Sequence, residues 1–132
     1  MRKFVKVGVA GLVAASALSV APMAFASSAP KTPAAVVTTG KCSGTSTWML
    51  TLKLDNGLVE SDVEVQTNTA GQTWKFQMLD NGTKFGSGKK TTIADGSWSA
   101  TRRATNQTGP DAITVNARNT VTGETCVASG TF

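Results

Sequence analysis

The stretch "TWMLTLKLDNGLVESDVEV", residues 47–65, decides the fold. Trp48, Leu50, Leu52 and Leu54 alternate with Thr47, Met49, Thr51 and Lys53, the two-residue period of a strand with one face buried. Asn56-Gly57 follows, and both residues accept the positive φ that a type I′ hairpin turn requires. With that dipeptide as a two-residue loop, Asp55 faces Leu58, Leu54 faces Val59, Leu50 faces Val63 and Trp48 faces Val65, so the apolar pairs share one face. The opposite face pairs Lys53 with Glu60 and Thr51 with Asp62, a solvated surface holding one opposite-charge pair.

The same logic recurs downstream. Trp74, Phe76 and Met78 alternate, Asn81-Gly82 turns the chain, and Met78 is expected opposite Phe85. Gly86-Ser87-Gly88 reads as a break, followed by an irregular crossing and a strand carrying Trp98 and Ala100. Ile113, Val115 and Ala117 form another alternating run, and Asn119–Glu124 turns it into a last strand with Cys126, Ala128 and Phe132 on one parity. Beyond the leader no amphipathic helix is apparent. Seven short strands with turns at regular intervals predict an all-β, two-sheet β-sandwich. The order hairpin, hairpin, single strand, hairpin matches immunoglobulin-like folds of the fibronectin type III kind, a likeness of architecture without functional content.

At the N-terminus, Arg2, Lys3 and Lys6 precede an apolar run from Val7 to Val20 and the triplet Ala24-Phe25-Ala26. This predicts a secretory signal peptide over 1–26, too short in its apolar run for a spanning anchor and cleaved after Ala26. Residues 27–40, SSAPKTPAAVVTTG, have the composition of a flexible stalk, leaving 41–132 as the folded domain. Free release to the exterior is expected, with no membrane association after cleavage. The chain holds 13 Lys and Arg against 8 Asp and Glu. Three of those cations lie in the leader, so the mature balance is 10 against 8, about +2, and charge alone gives no reason to expect a nucleic-acid partner.

Cys42 and Cys126 are the only two cysteines and stand 84 positions apart. In a sandwich the first and last strands can lie side by side, so a Cys42–Cys126 disulfide would tie the two ends of the domain together, as small exported domains often require. A redox pair would need a basic neighbour or Cys-x-x-Cys spacing, and neither is present.

The chain contains no His and no Tyr. That removes imidazole-based triads and His metal sites, and the expectation is a protein that is not an enzyme and carries no cofactor. Glu60, Asp62 and Glu64 form an acidic row that reads as a solvated strand face, with half of a hydrolytic carboxylate pair or a weak calcium site as the sharper alternatives. Lys84, Lys89, Lys90, Arg102 and Arg103 form a basic cluster against Asp95 alone. It reads either as charged protection of a sheet edge or as a patch for an anionic partner. Trp48, Trp74 and Trp98 all fall on inward parity and are expected in the core, not on a flat ligand platform.

Cys42-Ser43-Gly44 followed by Trp48, Ala70-Gly71-Gln72 with Trp74, the Asn81-Gly82 turn, and Thr122-Gly123-Glu124-Thr125-Cys126 with Ala128 together resemble a group of small secreted actinomycete proteins of uncharacterised function. The resemblance covers Lys41 to Phe132 and implies an exported, disulfide-tied sandwich; it brings no catalytic residues with it. The function expected is a non-enzymatic extracellular binding module for a protein or an anionic envelope polymer. Inhibition of an extracellular protease by an inserted loop is the alternative, and a hydrolase built on carboxylates alone ranks last. Loops Asn68–Gln72, Gly86–Gly96 and Ala104–Asp111 are where such a scaffold would be expected to carry its contacts.

Overall fold

The computed structural model describes residues 33–132; the expected signal peptide and the expected stalk as far as residue 32 lie outside the described residues. The elements are β1 (Val36–Lys41), β2 (Thr47–Asp55), β3 (Leu58–Gln66), β4 (Thr73–Asp80), β5 (Thr83–Thr91), β6 (Ser97–Thr105), β7 (Ala112–Asn119) and β8 (Thr125–Thr131). They form two antiparallel four-stranded sheets, ordered β1-β2-β3-β6 and β5-β4-β7-β8. The all-β sandwich follows the sequence pattern, with eight strands in place of the expected seven.

The β2–β3 hairpin has the register its alternation dictates: Asp55 opposite Leu58, Lys53 opposite Glu60, Leu50 opposite Val63 and Trp48 opposite Val65. Asn56 and Gly57 adopt φ of 50° and 78°, and Asn81 and Gly82 repeat the arrangement at 48° and 85°, so both turns bend with the twist of their strands. Inward parity brings Leu50, Leu52, Val63 and Val65 of the first sheet against Trp74, Phe76, Met78, Val115 and Ala117 of the second. Trp98 from β6 is the aromatic centre of this layer, its ring stacked 5.5 Å from Phe76 and tilted at 6.0 Å from Trp74. Trp74 and Trp98 are buried as their parity requires, whereas Trp48 is half-buried and packs against the core from its rim.

Three local expectations are corrected. Residues 36–40, placed in the flexible stalk, belong with Lys41 to the edge strand β1, paired with β2 from Val36 opposite Leu52 to Lys41 opposite Thr47. Its inward positions hold only Val36, Thr38 and Gly40, so burial alternates without a matching hydrophobic alternation. Met78 does not face Phe85: the register shifts at Met78/Leu79, Met78 pairs with Gly86, and Phe85 is the extra residue of a β-bulge, leaning on the core. Gly86-Ser87-Gly88 is no break either, since β5 runs through it. These glycines leave room for neighbours: a Cβ on Gly86 would lie 2.7 Å from Arg102 Cγ, and one on Gly88 would lie 3.1 Å from the Phe76 ring.

The single disulfide joins Cys42 and Cys126. Because β1 precedes it, Cys42 sits in the β1–β2 turn and not ahead of the first strand, its N–H donating to the Ser46 carbonyl at 2.9 Å. The bridge still clamps the two sheets where the first and last strands meet. There Thr38 Oγ1 donates to the Ser129 carbonyl at 2.7 Å and the Ser43 N–H donates to the Thr125 carbonyl at 2.8 Å. Closing so long a loop restricts the unfolded chain by about 4.5 kcal/mol in the chain-entropy account. Replacing both cysteines with serine is therefore expected to cost about 2–5 kcal/mol, read as a lower denaturant midpoint, with far-UV circular dichroism of the folded state unchanged.

Candidate functional site

The alternation that sends Trp74, Phe76 and Met78 into the core obliges Lys75 and Gln77 of β4 to face outward. Register then fixes their company. Lys75 lies directly opposite Lys89 of β5 on one side and Arg118 of β7 on the other. One step along the strands, Gln77 lies between Ser87 and Asn116. Beyond Arg118 and Asn116 the rows end on Thr125 and Val127 of β8. Lys75, Gln77, Ser87, Asn116, Arg118 and the two β8 residues line an open depression of about 480 Å³ on the outer face of the second sheet, with Lys89 beside it.

No carboxylate shares this face. Asp55, Glu60, Asp62 and Glu64 have outward parity on the first sheet. Asp95, in the β5–β6 turn, accepts from the Ser97 N–H and hydroxyl at 2.9 and 2.6 Å. Glu124 accepts from the Ser46 hydroxyl at 2.6 Å and the Ser46 N–H at 3.0 Å. Asp80 and Asp111 are buried. With these the 8 acids of the chain are all accounted for.

All three ion pairs among the described residues lie on the other sheet: Lys53–Glu60 at 3.2 Å, Arg103–Asp55 at 2.7 Å and Arg103–Glu60 at 2.8 Å. The hydrogen bond from Arg103 holds the Asp55 carboxyl below the ordinary carboxylate range. The acidic row is thus partly neutralised in place: Glu60 is held by Lys53 and Arg103, and Asp62 accepts from the Thr101 hydroxyl at 3.4 Å.

The five residues of the expected basic cluster take different positions. Lys84 and Lys89 share the outer face of the second sheet, whereas Lys90 is exposed on the opposite parity near the end of β5. Arg102 bridges the open side of the sandwich, its guanidinium 5.3 Å from the Phe76 ring centroid and donating to the Ser87 carbonyl at 3.3 Å. Arg103 faces outward from the first sheet, inside its ion pairs. Lys75 and Arg118, absent from that cluster, complete the cationic row. They are 43 positions apart, and only the β4–β7 pairing joins them.

A second unusual group is interior. Asp80 ends β4 and Asp111 precedes β7, with 3% and 0% of their surfaces exposed. Both Asp80 oxygens and Asp111 Oδ2 lack a hydrogen-bond donor, while Asp111 Oδ1 accepts from the Gln107 N–H at 3.2 Å. Burial, reinforced by the hydrogen bond and negative charge of Asp111, pushes Asp80 up to about 6. Below about 6 Asp80 carries a proton that it can donate to Asp111, which relieves the crowding of two buried carboxyls. Among the described residues no group of three or more His, Cys, Asp or Glu side chains is placed to hold a metal ion.

No family model, no curated protein and no solved structure matches the chain.

The acid pair sets a pH dependence. Protonation of Asp80 stabilises the folded state, so its contribution is complete below about 3.8, its ordinary value, and is lost as pH rises through about 6. Asp55 and Asp95, both lowered, act in the opposite sense and lose their contribution as pH falls through the acid range. The melting temperature is expected to peak in mild acid, near pH 5, and to fall toward pH 7. Asp80→Asn, which donates to Asp111 without a titrating proton, is expected to raise stability at pH 7 by about 1–3 kcal/mol and to flatten the decline between pH 5 and 7.

Proposed function

We propose that this chain is a secreted, non-enzymatic binding module that presents the outer face of its second sheet to an anionic polymer of the cell envelope. The observation carrying the reading is Lys75, set between Lys89 and Arg118 with no carboxylate on the face. Like charges directly opposite one another destabilise a sheet. The first sheet shows that this scaffold can pair its charges, as Lys53, Glu60, Arg103 and Asp55 do. Leaving the second face unpaired is a cost that an anionic partner would offset. A flat array of fixed cations also suits a polymer, which meets several of them at once.

The disulfide agrees with folding in an oxidising compartment. The immunoglobulin-like relationship belongs to the same proposal. The order β5-β4-β7-β8 corresponds to the C′-C-F-G sheet of such domains, while β3, inserted between β2 and β6, departs from their other sheet. Kinship with small secreted actinomycete proteins rests on the short motifs around Cys42, Trp74 and Cys126.

Lys75→Glu separates binding from folding. A glutamate there would face Lys89 and Arg118 as two opposite-charge pairs, each worth about 0.2–1 kcal/mol, so the melting temperature is expected to rise. Retention on an immobilised polyanion is expected to fall at least about tenfold, and retention of the unaltered protein to weaken steeply with added salt. A variant that binds undiminished, or wild-type binding indifferent to salt, would refute the reading.

A further inference from the structure

The cationic row has a neutral companion whose chemistry narrows the partner. Ser87, Gln77 and Asn116 lie side by side across β5, β4 and β7, one outward step from Lys89, Lys75 and Arg118. Gln77 and Ser87 are exposed and Asn116 is half-buried within the depression. Lateral neighbours in a sheet stand about 4.8 Å apart and outward residues along a strand about 6.5–7 Å apart. The face is therefore a two-lane strip crossing the strands, one lane of charge and one of hydroxyl and amide groups that both donate and accept.

We propose that this strip binds a carboxylated glycan laid across the strands. Its acid groups lie along Lys89, Lys75 and Arg118, and its ring hydroxyls lie along Ser87, Gln77 and Asn116. The inference rests on the anionic-polymer reading above and selects among anionic polymers by what the second lane recognises. A polyphosphate offers charge throughout and has no hydroxyls for neutral amides to read. A single-stranded nucleic acid is held by bases stacked on aromatic rings, and this face has none, because Trp74, Phe76 and Trp98 all point into the core. A neutral glycan would leave the cations without a counter-charge. A sugar-acid chain supplies both requirements: carboxylates that Arg118 can take in a two-pronged hydrogen bond, and hydroxyls matched to carboxamides.

The test measures binding of the intact oxidised protein to three probes at one ionic strength: polygalacturonate, its carboxyl-reduced counterpart, and polyphosphate of matched charge and length. Polygalacturonate is expected to bind about tenfold tighter than polyphosphate, the difference two neutral hydrogen bonds supply. The double variant Gln77→Ala, Asn116→Ala is expected to bring polygalacturonate down to the polyphosphate level while leaving polyphosphate affinity unchanged. Lys75→Ala is expected to weaken both. Equal or tighter binding of polyphosphate, or a double variant that keeps the preference, would overturn the glycan assignment and leave the anionic-polymer reading standing. Failure to bind either anion would overturn that reading as well. Undiminished binding of the carboxyl-reduced polymer would show that the cationic row is not what recognises the chain, and would overturn both.

Discussion

A strand residue has two directions to point, and the fold depends on how that binary choice is made in β4. Trp74, Phe76 and Met78 must go inward, because with Trp98 they form much of the layer that holds the two sheets together. Lys75 and Gln77 then have nowhere to go but out. Pairing with β5 and β7 sets Lys89 and Arg118 beside the one, Ser87 and Asn116 beside the other. The core and the candidate binding face are consequently the same alternation seen from its two sides. No substitution can slide one without the other, since a one-residue slip in β4 would place Lys75 among the aromatics.

Two features that lower stability occur on that same strand. One is the row of cations on its outer side, and the other is Asp80 at its inner end, buried beside Asp111 with too few donors. Each has a simple remedy, an acid at Lys75 or an amide at Asp80, and neither has been adopted. The scaffold can carry both because it is held independently by the Cys42–Cys126 bridge on one open side and by Arg102 spanning to Phe76 and Ser87 on the other. The two features differ in access. The cations face solvent and can meet a partner, whereas the acid pair is sealed and acts through protonation alone.

Much of this was legible in the sequence wherever the signal was local. Trp48 to Val65 specified its own register residue by residue, since a two-residue Asn-Gly loop leaves no freedom in pairing. The failures were of three physical kinds. β1 packs Val36, Thr38 and Gly40 inward, too little apolar contrast to betray a strand in Ala- and Thr-rich surroundings. The bulge at Phe85 inserts a residue that no periodicity announces. Gly86 and Gly88 looked like a chain break because the reason for them, the side chains of Arg102 and Phe76, comes from other strands. The charged residues follow the same division. A cluster judged by nearness in sequence scattered Arg102 and Arg103 to different surroundings. The row that does assemble needs the long-range pairing of Lys75 with Arg118.

Recognition on a sheet face, as proposed, agrees with how the ends of the sandwich are tied. The 67–72 loop is bound to the β5–β6 turn, with the Thr67 N–H on the Gly96 carbonyl at 2.8 Å and the Gly71 N–H on the Thr92 carbonyl at 2.9 Å. The β4–β5 turn is bound to the loop before β7, where Asn81 Nδ2 donates to the Pro110 carbonyl at 3.2 Å and Asn81 Oδ1 accepts the Ala112 N–H at 3.0 Å. Their polar groups are largely committed to one another. The outer face of the second sheet is the reverse: a backbone fixed on both sides by ladder hydrogen bonds, carrying Lys75, Lys89 and Arg118 outside all three ion pairs found among the described residues. A partner meeting that face orders a few long side chains and no backbone, so little of the interaction is lost to conformational entropy. The face whose backbone is held by ladder pairing on both sides is also the one whose cations stand outside the ion pairs, which favours the sheet over the loops for the proposed recognition.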